Sequence, residues 1–209
     1  AGRARRVYSC LERPDISGTP VPRFDLVDMD EYNTISLQFS RGCPFHCEFC
    51  DIVHLFGNTV RTKTTQQFIR EMNAAYATGF RGGLFIVDDN FIGNRKKVKD
   101  LLKVIIPWQK EKGYPFQIIT EASINLAGDE KLLDLMVEAG FTTVFIGLET
   151  PATEALAETG KTQNLKGNQE SNIKKIQNKG LEVSGGFIIG FDTDPRAIFD
   201  SQFSFIQDL

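Results

Sequence analysis

Histidine and tryptophan are nearly absent from this chain, at two and one of 209 residues, and no apolar run is long. The longest, "GLFIV" (83–87) and "GGFIIGF" (185–191), fall far short of the roughly 20 residues a bilayer-crossing helix needs. The N-terminal "AGRARRVYSC" lacks the apolar core of a signal peptide. An excess of positive charge is missing too. With 24 Lys and Arg against 27 Asp and Glu, the formal charge is −3, so no global field draws the protein to nucleic acid or anionic lipid. These absences, with 41% hydrophobic and 24% charged residues, lead to the expectation of a cytoplasmic, globular protein without a transmembrane segment and with nucleic acid an unfavoured partner.

Cysteine is also scarce, yet three of the four fall within eight positions, "CPFHCEFC" (43–50). In a reducing compartment such clustering points to metal or redox chemistry rather than to a disulfide framework. Cys10, distant from the others, reads as a spare thiol.

Residues 1–33, rich in Pro, Arg and Asp and without sustained periodicity, read as an irregular lead-in or linker. From 34 onward short β-branched runs alternate with helical patterns. The runs are "TISLQFS" (34–40), "LFIVDD" (84–89), "FQIITEA" (116–122), "TTVFIGLE" (142–149) and "LEVSGGFIIGF" (181–191). Thr64 and Gln67 fit a capping box opening a helix that Gly79 would end. Further helical stripes hold Val98 to Ile106, Leu132 to Ala139, and Ile173 with Ile176. A last helix is expected from Asp194 as N-cap with Pro195 at its first position, and Trp108, after Pro107, is expected to close the second helix against the core. Regular βα alternation implies parallel strands joined by right-handed crossovers, an α/β class, either barrel or doubly wound. Each strand delivers thiols, carboxylates or hydroxyls at its C-terminal end, where such folds place their chemistry; turn and cap preferences account for some of these residues.

Cys43, Cys47 and Cys50, spaced C-x3-C-x2-C and opened by Gly42 and Pro44, sit in a curling loop where three sulfurs can converge. Iron–sulfur clusters are normally held by four thiolates and structural zinc by four ligands, so His54 completing a Cys3His zinc site is an open alternative.

The stretch from "RGCPFHCEFC" onward resembles the radical S-adenosylmethionine (radical SAM) superfamily, whose signature is C-x3-C-x-aromatic-C after the first strand of a partial (β/α)6 barrel, with Phe49 as the aromatic. The resemblance implies a partial parallel (β/α)6 TIM-like barrel, here about five βα units. It implies that Cys43, Cys47 and Cys50 each bind one iron of a [4Fe-4S] cluster, whose fourth iron is chelated by S-adenosylmethionine. Reduction would then cleave the sulfonium to a 5′-deoxyadenosyl radical. Asp88, Asp89 and Asn90 stand where members hold the cofactor's amino group, and Glu149 where they place an acidic residue near ribose and methionine. Gly186, Ile188 and Gly190 resemble the pattern that packs on adenine, which Phe49 would contact through its backbone. For 186–190 the structural alternative is a buried strand with a glycine kink. Glu121 and Ser123 are candidates to face substrate or to make strand-end hydrogen bonds, and Arg61 and Lys63 to hold an anion or to be solvated.

The wider pattern, from "CDIVHLFGN" through "DDNFIGN", "TEASINLA" and "GLETP" to "KTQN", resembles the subgroup in which a cobalamin-binding domain precedes the barrel, including the hopanoid methylase group. That implies methyl transfer from methylcobalamin to a small-molecule or lipid substrate, with electrons from a donor such as flavodoxin or ferredoxin. No D-x-H-x-x-G cobalamin signature is present, so cobalamin is expected in a longer protein rather than on this stretch alone. Residues 1–33 are then expected to be the tail of a linker from that domain, and 34–209 the radical SAM core, one strand short at its C-terminal end. The other functional readings are a methylthiotransferase acting on RNA and a Cys3His zinc module.

Overall fold

The computed structural model describes residues 6–8 and 12–209; the expectation for Cys10 lies outside the described residues. Residues 12–33 contain three single 3-10 turns and no strand or longer helix. The elements that follow are β1 (Thr34–Leu37), β2 (Ser40–Arg41), α1 (Ile52–Phe56), β3 (Arg61–Thr62), α2 (Thr65–Ala77), β4 (Gly82–Ile86), α3 (Arg95–Glu111), β5 (Phe116–Ala122), α4 (Glu130–Glu138), β6 (Phe141–Glu149), α5 (Thr153–Glu158), α6 (Gln169–Asn178), β7 (Glu182–Phe187) and α7 (Ile198–Asp208). The main sheet has the order β1-β4-β5-β6-β7, every pair parallel, and β2 and β3 form a separate antiparallel ribbon.

That order decides between the two α/β architectures. A doubly wound sheet reverses its strand order at a switch point, whereas here each new strand is added beside the last, in one direction, as in a barrel. The fold is an α/β partial barrel of five parallel strands. Burial alternates with the pleat, as in β5, where Phe116, Ile118, Thr120 and Ala122 are buried and Gln117 is exposed. The same alternation points Leu37, Leu84, Ile86, Val144 and Ile146 into one continuous core with Phe68, Met72, Leu101, Ile105, Leu132, Met136 and Ile176 from the connecting helices. β7 pairs only with β6 among the described residues, and its residues are half-buried or exposed. Of 186–190, Gly186 and Phe187 belong to β7, and 188–190 lie past its end.

Three local expectations change under tertiary contact. Thr64 Oγ1 does accept from the Gln67 backbone N–H, but the Gln67 side chain does not reach back; its Nε2 donates to the carbonyls of Ile16 and Thr19, pinning the lead-in to α2. Trp108 packs against the core as expected but does not close α3, which runs through Pro107 and on to Glu111. A helix-interior proline costs about 3 kcal/mol, and packing of the last turn offsets it. Trp108 stacks on Phe116 at 5.5 Å and donates to Asn73, and Gln109 donates to the carbonyls of Phe116 and Ala139. Asp194 is not the N-cap of α7, which starts at Ile198; its carboxylate accepts from the backbone N–H groups of Gly190 and Phe191 and closes that turn.

Lys63 is not solvated or anion-binding. Its Nζ pairs with Glu71 at 2.6 Å, with the two side chains 9% and 0% exposed. Burial pushes the Glu71 carboxyl above its ordinary value, and Lys63 opposes that shift. Removing one partner of a buried pair costs on the order of 3–5 kcal/mol. Lys63→Met is therefore expected to lower unfolding free energy by about that amount at pH 7, with the loss shrinking as acid protonates Glu71; urea unfolding of the apoprotein across pH measures both.

Candidate functional site

Because the five strands are parallel, their C-terminal ends meet at one rim, and a cavity of about 190 Å³ opens there. Its wall includes all three clustered thiols, Cys43, Cys47 and Cys50, together with Asp89 and Asn90 after β4, Glu121 and Ser123 at the end of β5, and Gly147 and Glu149 at the end of β6. A larger hollow, about 510 Å³, lies between residues 22–30 and α2 but has no thiol in its lining.

The cysteine loop is closed by its own backbone. Cys43 N–H donates to the Gly57 carbonyl, and the middle of the loop is tied across to α5 by Glu48 N–H to the Thr159 carbonyl at 2.9 Å. Gly42 has φ +97, and a Cβ there would stand 2.8 Å from the Gly57 oxygen and 2.9 Å from that of Thr59. Only glycine fits a left-handed position that close to other backbone.

The three residues after β4 divide their work. Asp88 is corrected as a cofactor ligand: it is 1% exposed and absent from the cavity wall. Its carboxylate accepts from Phe39 N–H at 2.7 Å and Ser40 Oγ at 2.6 Å, locking the exit of β1 to the exit of β4. Desolvation pushes its pKa up to about 7 despite those hydrogen bonds, with Asp89 adding to the rise. Asp89 faces the cavity and accepts from Gly42 N–H at 2.7 Å. Asn90 lines the cavity, but its amide is committed to Ser123, with Nδ2 also 3.8 Å from Cys43 Sγ.

Glu149 lines the cavity with its backbone at φ +64, an uncommon conformation for a residue with a Cβ. Lys161 Nζ holds its carboxylate at 2.5 Å, and Ile188 N–H donates to its carbonyl. Gly147 makes the room, since a Cβ there would collide with both the Glu149 carboxylate and Lys161 Nζ. Phe49 is half exposed on the wall, its ring 5.9 Å from that of Phe191 and 5.7 Å from Lys161 Nζ. Gly186, Ile188 and Gly190 lie outside the thiol-lined cavity; the space above Gly186 is taken by the Phe145 ring. Ser123 makes the strand-end hydrogen bonds expected of it, whereas Glu121 has no hydrogen-bond partner among the described residues and burial raises its pKa, with a smaller push from Asp89.

Two polar wall residues carried no assigned role in the sequence, Lys161 and Gln163. Gln163 Nε2 lies 3.7 Å from Cys47 Sγ, across 116 positions of chain, and no local pattern announces such a contact. Arg61 is spent on the carbonyls of Pro14 and Phe56. His54 is exposed on α1 and is not on the cavity wall. Among the described residues, no group of three or more His, Cys, Asp or Glu is gathered as a single metal ion requires. A single zinc, with Zn–S bonds of about 2.3 Å, draws its sulfurs tightly together.

The Radical SAM superfamily model matches residues 37–200. An uncharacterized methyltransferase of Synechocystis sp. is 48% identical over 95% of this chain, and the hopanoid C-2 methylase of Rhodopseudomonas palustris is 40% identical over 96% of it. The chain spans only 37% and 38% of the length of these two relatives. Among solved structures, the radical S-adenosylmethionine methyltransferase TsrM from Kitasatospora setae, with cobalamin and a [4Fe-4S] cluster bound, superposes with a TM-score of 0.74 at 18% identity, covering 92% of this chain and 38% of that one.

Two outcomes are expected from this geometry. Asp88 binds its proton more tightly folded than unfolded, so it lowers stability as pH rises from about 4 to about 7, with no further loss above. Asp88→Asn keeps an acceptor for Phe39 and removes that term; in urea unfolding it should match the wild type near pH 4 and exceed it by about 3–4 kcal/mol at pH 8. Gly42→Ala should lower unfolding free energy by about 1–3 kcal/mol and reduce the iron the chain retains after reconstitution, read by iron analysis.

Proposed function

This chain belongs to the radical SAM superfamily, and from that premise we propose that its thiol-lined cavity holds a [4Fe-4S] cluster and S-adenosylmethionine, as the core of a cobalamin-dependent C-methyltransferase. When bound, the reduced cluster supplies the electron that cleaves the sulfonium and, in a longer protein, methylcobalamin supplies the methyl group. The observation that carries this reading is the donor set: Cys43, Cys47 and Cys50 all line one cavity, and among the described residues neither a histidine nor a fourth cysteine joins them on its wall. Cys43, Cys47 and Cys50 would each hold one iron, leaving a coordination position for the cofactor. Burial pushes the Cys43 thiol up, so the positive charge of iron is what would hold its sulfur as thiolate.

The rest of the wall matches the charges of that cofactor. Asp89 and Glu121 present carboxylates to a group carrying ammonium and sulfonium, and Lys161, already paired with Glu149, presents a cation to its carboxylate. Phe49 and Phe145 add apolar surface that limits water. Kinship with the hopanoid C-2 methylase supports a small-molecule or lipid acceptor, and a low-potential donor of the flavodoxin or ferredoxin class would supply electrons. Among the described residues no helix is long and apolar enough to cross a membrane.

Anaerobic reconstitution with iron and sulfide tests the reading. The wild type should turn brown, with sulfur-to-iron charge-transfer absorption, and in a longer chain should form 5′-deoxyadenosine from S-adenosylmethionine and a reductant. Cys47→Ala should lose most of the iron and all of that product; undiminished cleavage in the variant overturns the ligand assignment.

A further inference from the structure

The cavity wall holds a buried side chain whose hydrogen bonding makes no sense as scaffolding. Gln163 is 3% exposed, and among the described residues its Oε1 has no partner and its Nε2 meets only the Cys47 sulfur, at 3.7 Å. Its buried neighbours Asn164 and Gln169 also leave their side-chain oxygens unpaired, and the difference lies in the N–H groups: Asn164 donates to the carbonyls of Gly147 and Leu148, and Gln169 to that of Thr150. Those amides hold backbone. Burying an amide with one end unpaired is unfavourable by about 1–3 kcal/mol, and a neutral thiol is a poor acceptor that returns little of it. A thiolate is different, because a hydrogen bond to a charged acceptor is about twice as strong.

We propose that Gln163 is a positioning residue that donates its N–H to the Cys47 thiolate and sets the reduction potential of the cluster, with Asn90 doing the same at Cys43. This rests on the cluster reading above. The N–H dipole directs its positive end at sulfur, so it stabilises whichever oxidation state carries more negative charge. One electron from an external reductant takes the cluster from its 2+ to its 1+ state, so the hydrogen bond favours the reduced form and makes the potential less negative. Asn90 is the weaker donor of the two, at 3.8 Å and with its Nδ2 shared with Ser123 Oγ at 3.1 Å. Gln163, with no competing acceptor among the described residues, is the cleaner test.

The experiment is an anaerobic dithionite titration of the reconstituted protein, without S-adenosylmethionine, followed by electron paramagnetic resonance. Gln163→Leu, similar in volume, should bind iron and sulfide in wild-type ratio, show a more negative midpoint and alter the g values of the reduced cluster. Gln169→Leu, which removes a buried amide away from the sulfurs, should leave the midpoint where it was. If Gln163→Leu sheds the cluster, Gln163→Asn, which withdraws the same donor by one methylene, should keep it and show the negative shift. An unshifted midpoint in a variant that retains the cluster overturns the proposal, as does loss of the cluster from both variants with their circular dichroism intact. A wild type that takes up no cluster would instead sink the reading on which this rests.

Discussion

Two adjacent carboxylates organise this molecule. Asp88 and Asp89 leave the end of β4 and between them capture the backbone N–H groups of Phe39 and Gly42 and the hydroxyl of Ser40, on the segment that carries β1 into the cysteine loop. One is buried behind the rim and the other stands on the cavity wall. Without them the exit of β1, a strand of four residues at the sheet edge, would lose these ties to the end of β4. With them, the thiols are fixed to the centre of the fold, and the burial that this requires drives the Asp88 pKa to about 7.

The remaining anchors of the loop come from far away in the chain. Thr159 holds its middle, Gly57 and Thr59 meet its start, and Arg13, donating to the carbonyls of Val53 and His54, ties α1 to the lead-in. The lead-in is therefore more than a connector, since Ile16 is buried and Gln67 grips its carbonyls. A site assembled this way has little freedom to slacken at one point alone, because each tether crosses a different pair of elements.

Much of this was legible in residue patterns. The 2-residue and 3.6-residue periods located the five main strands and four of the helices, since burial on one face enforces them. Gly42, Pro44 and the cysteine spacing marked the loop. Hidden from that reading were the short ribbon Ser40–Arg41 with Arg61–Thr62, too brief to show a period, and the helices α1 and α5, of five and six residues. Asp88 looked like a ligand because a carboxylate at a strand end resembles one whether it faces the cavity or the core.

What the sequence alone determined was the alternation of strands and helices, the thiol cluster, and the rim on which polar residues collect, because these follow from local periodicity and chain direction. Only the tertiary structure decided which of those polar residues are free. Asp88 and Asn90 are consumed by neighbours, Lys63 is sealed against Glu71, and Gln163 is brought to Cys47 from 116 positions away. The physical reason is that a buried polar group must find a partner wherever the fold brings one, and that partner is chosen by packing in three dimensions rather than by proximity along the chain.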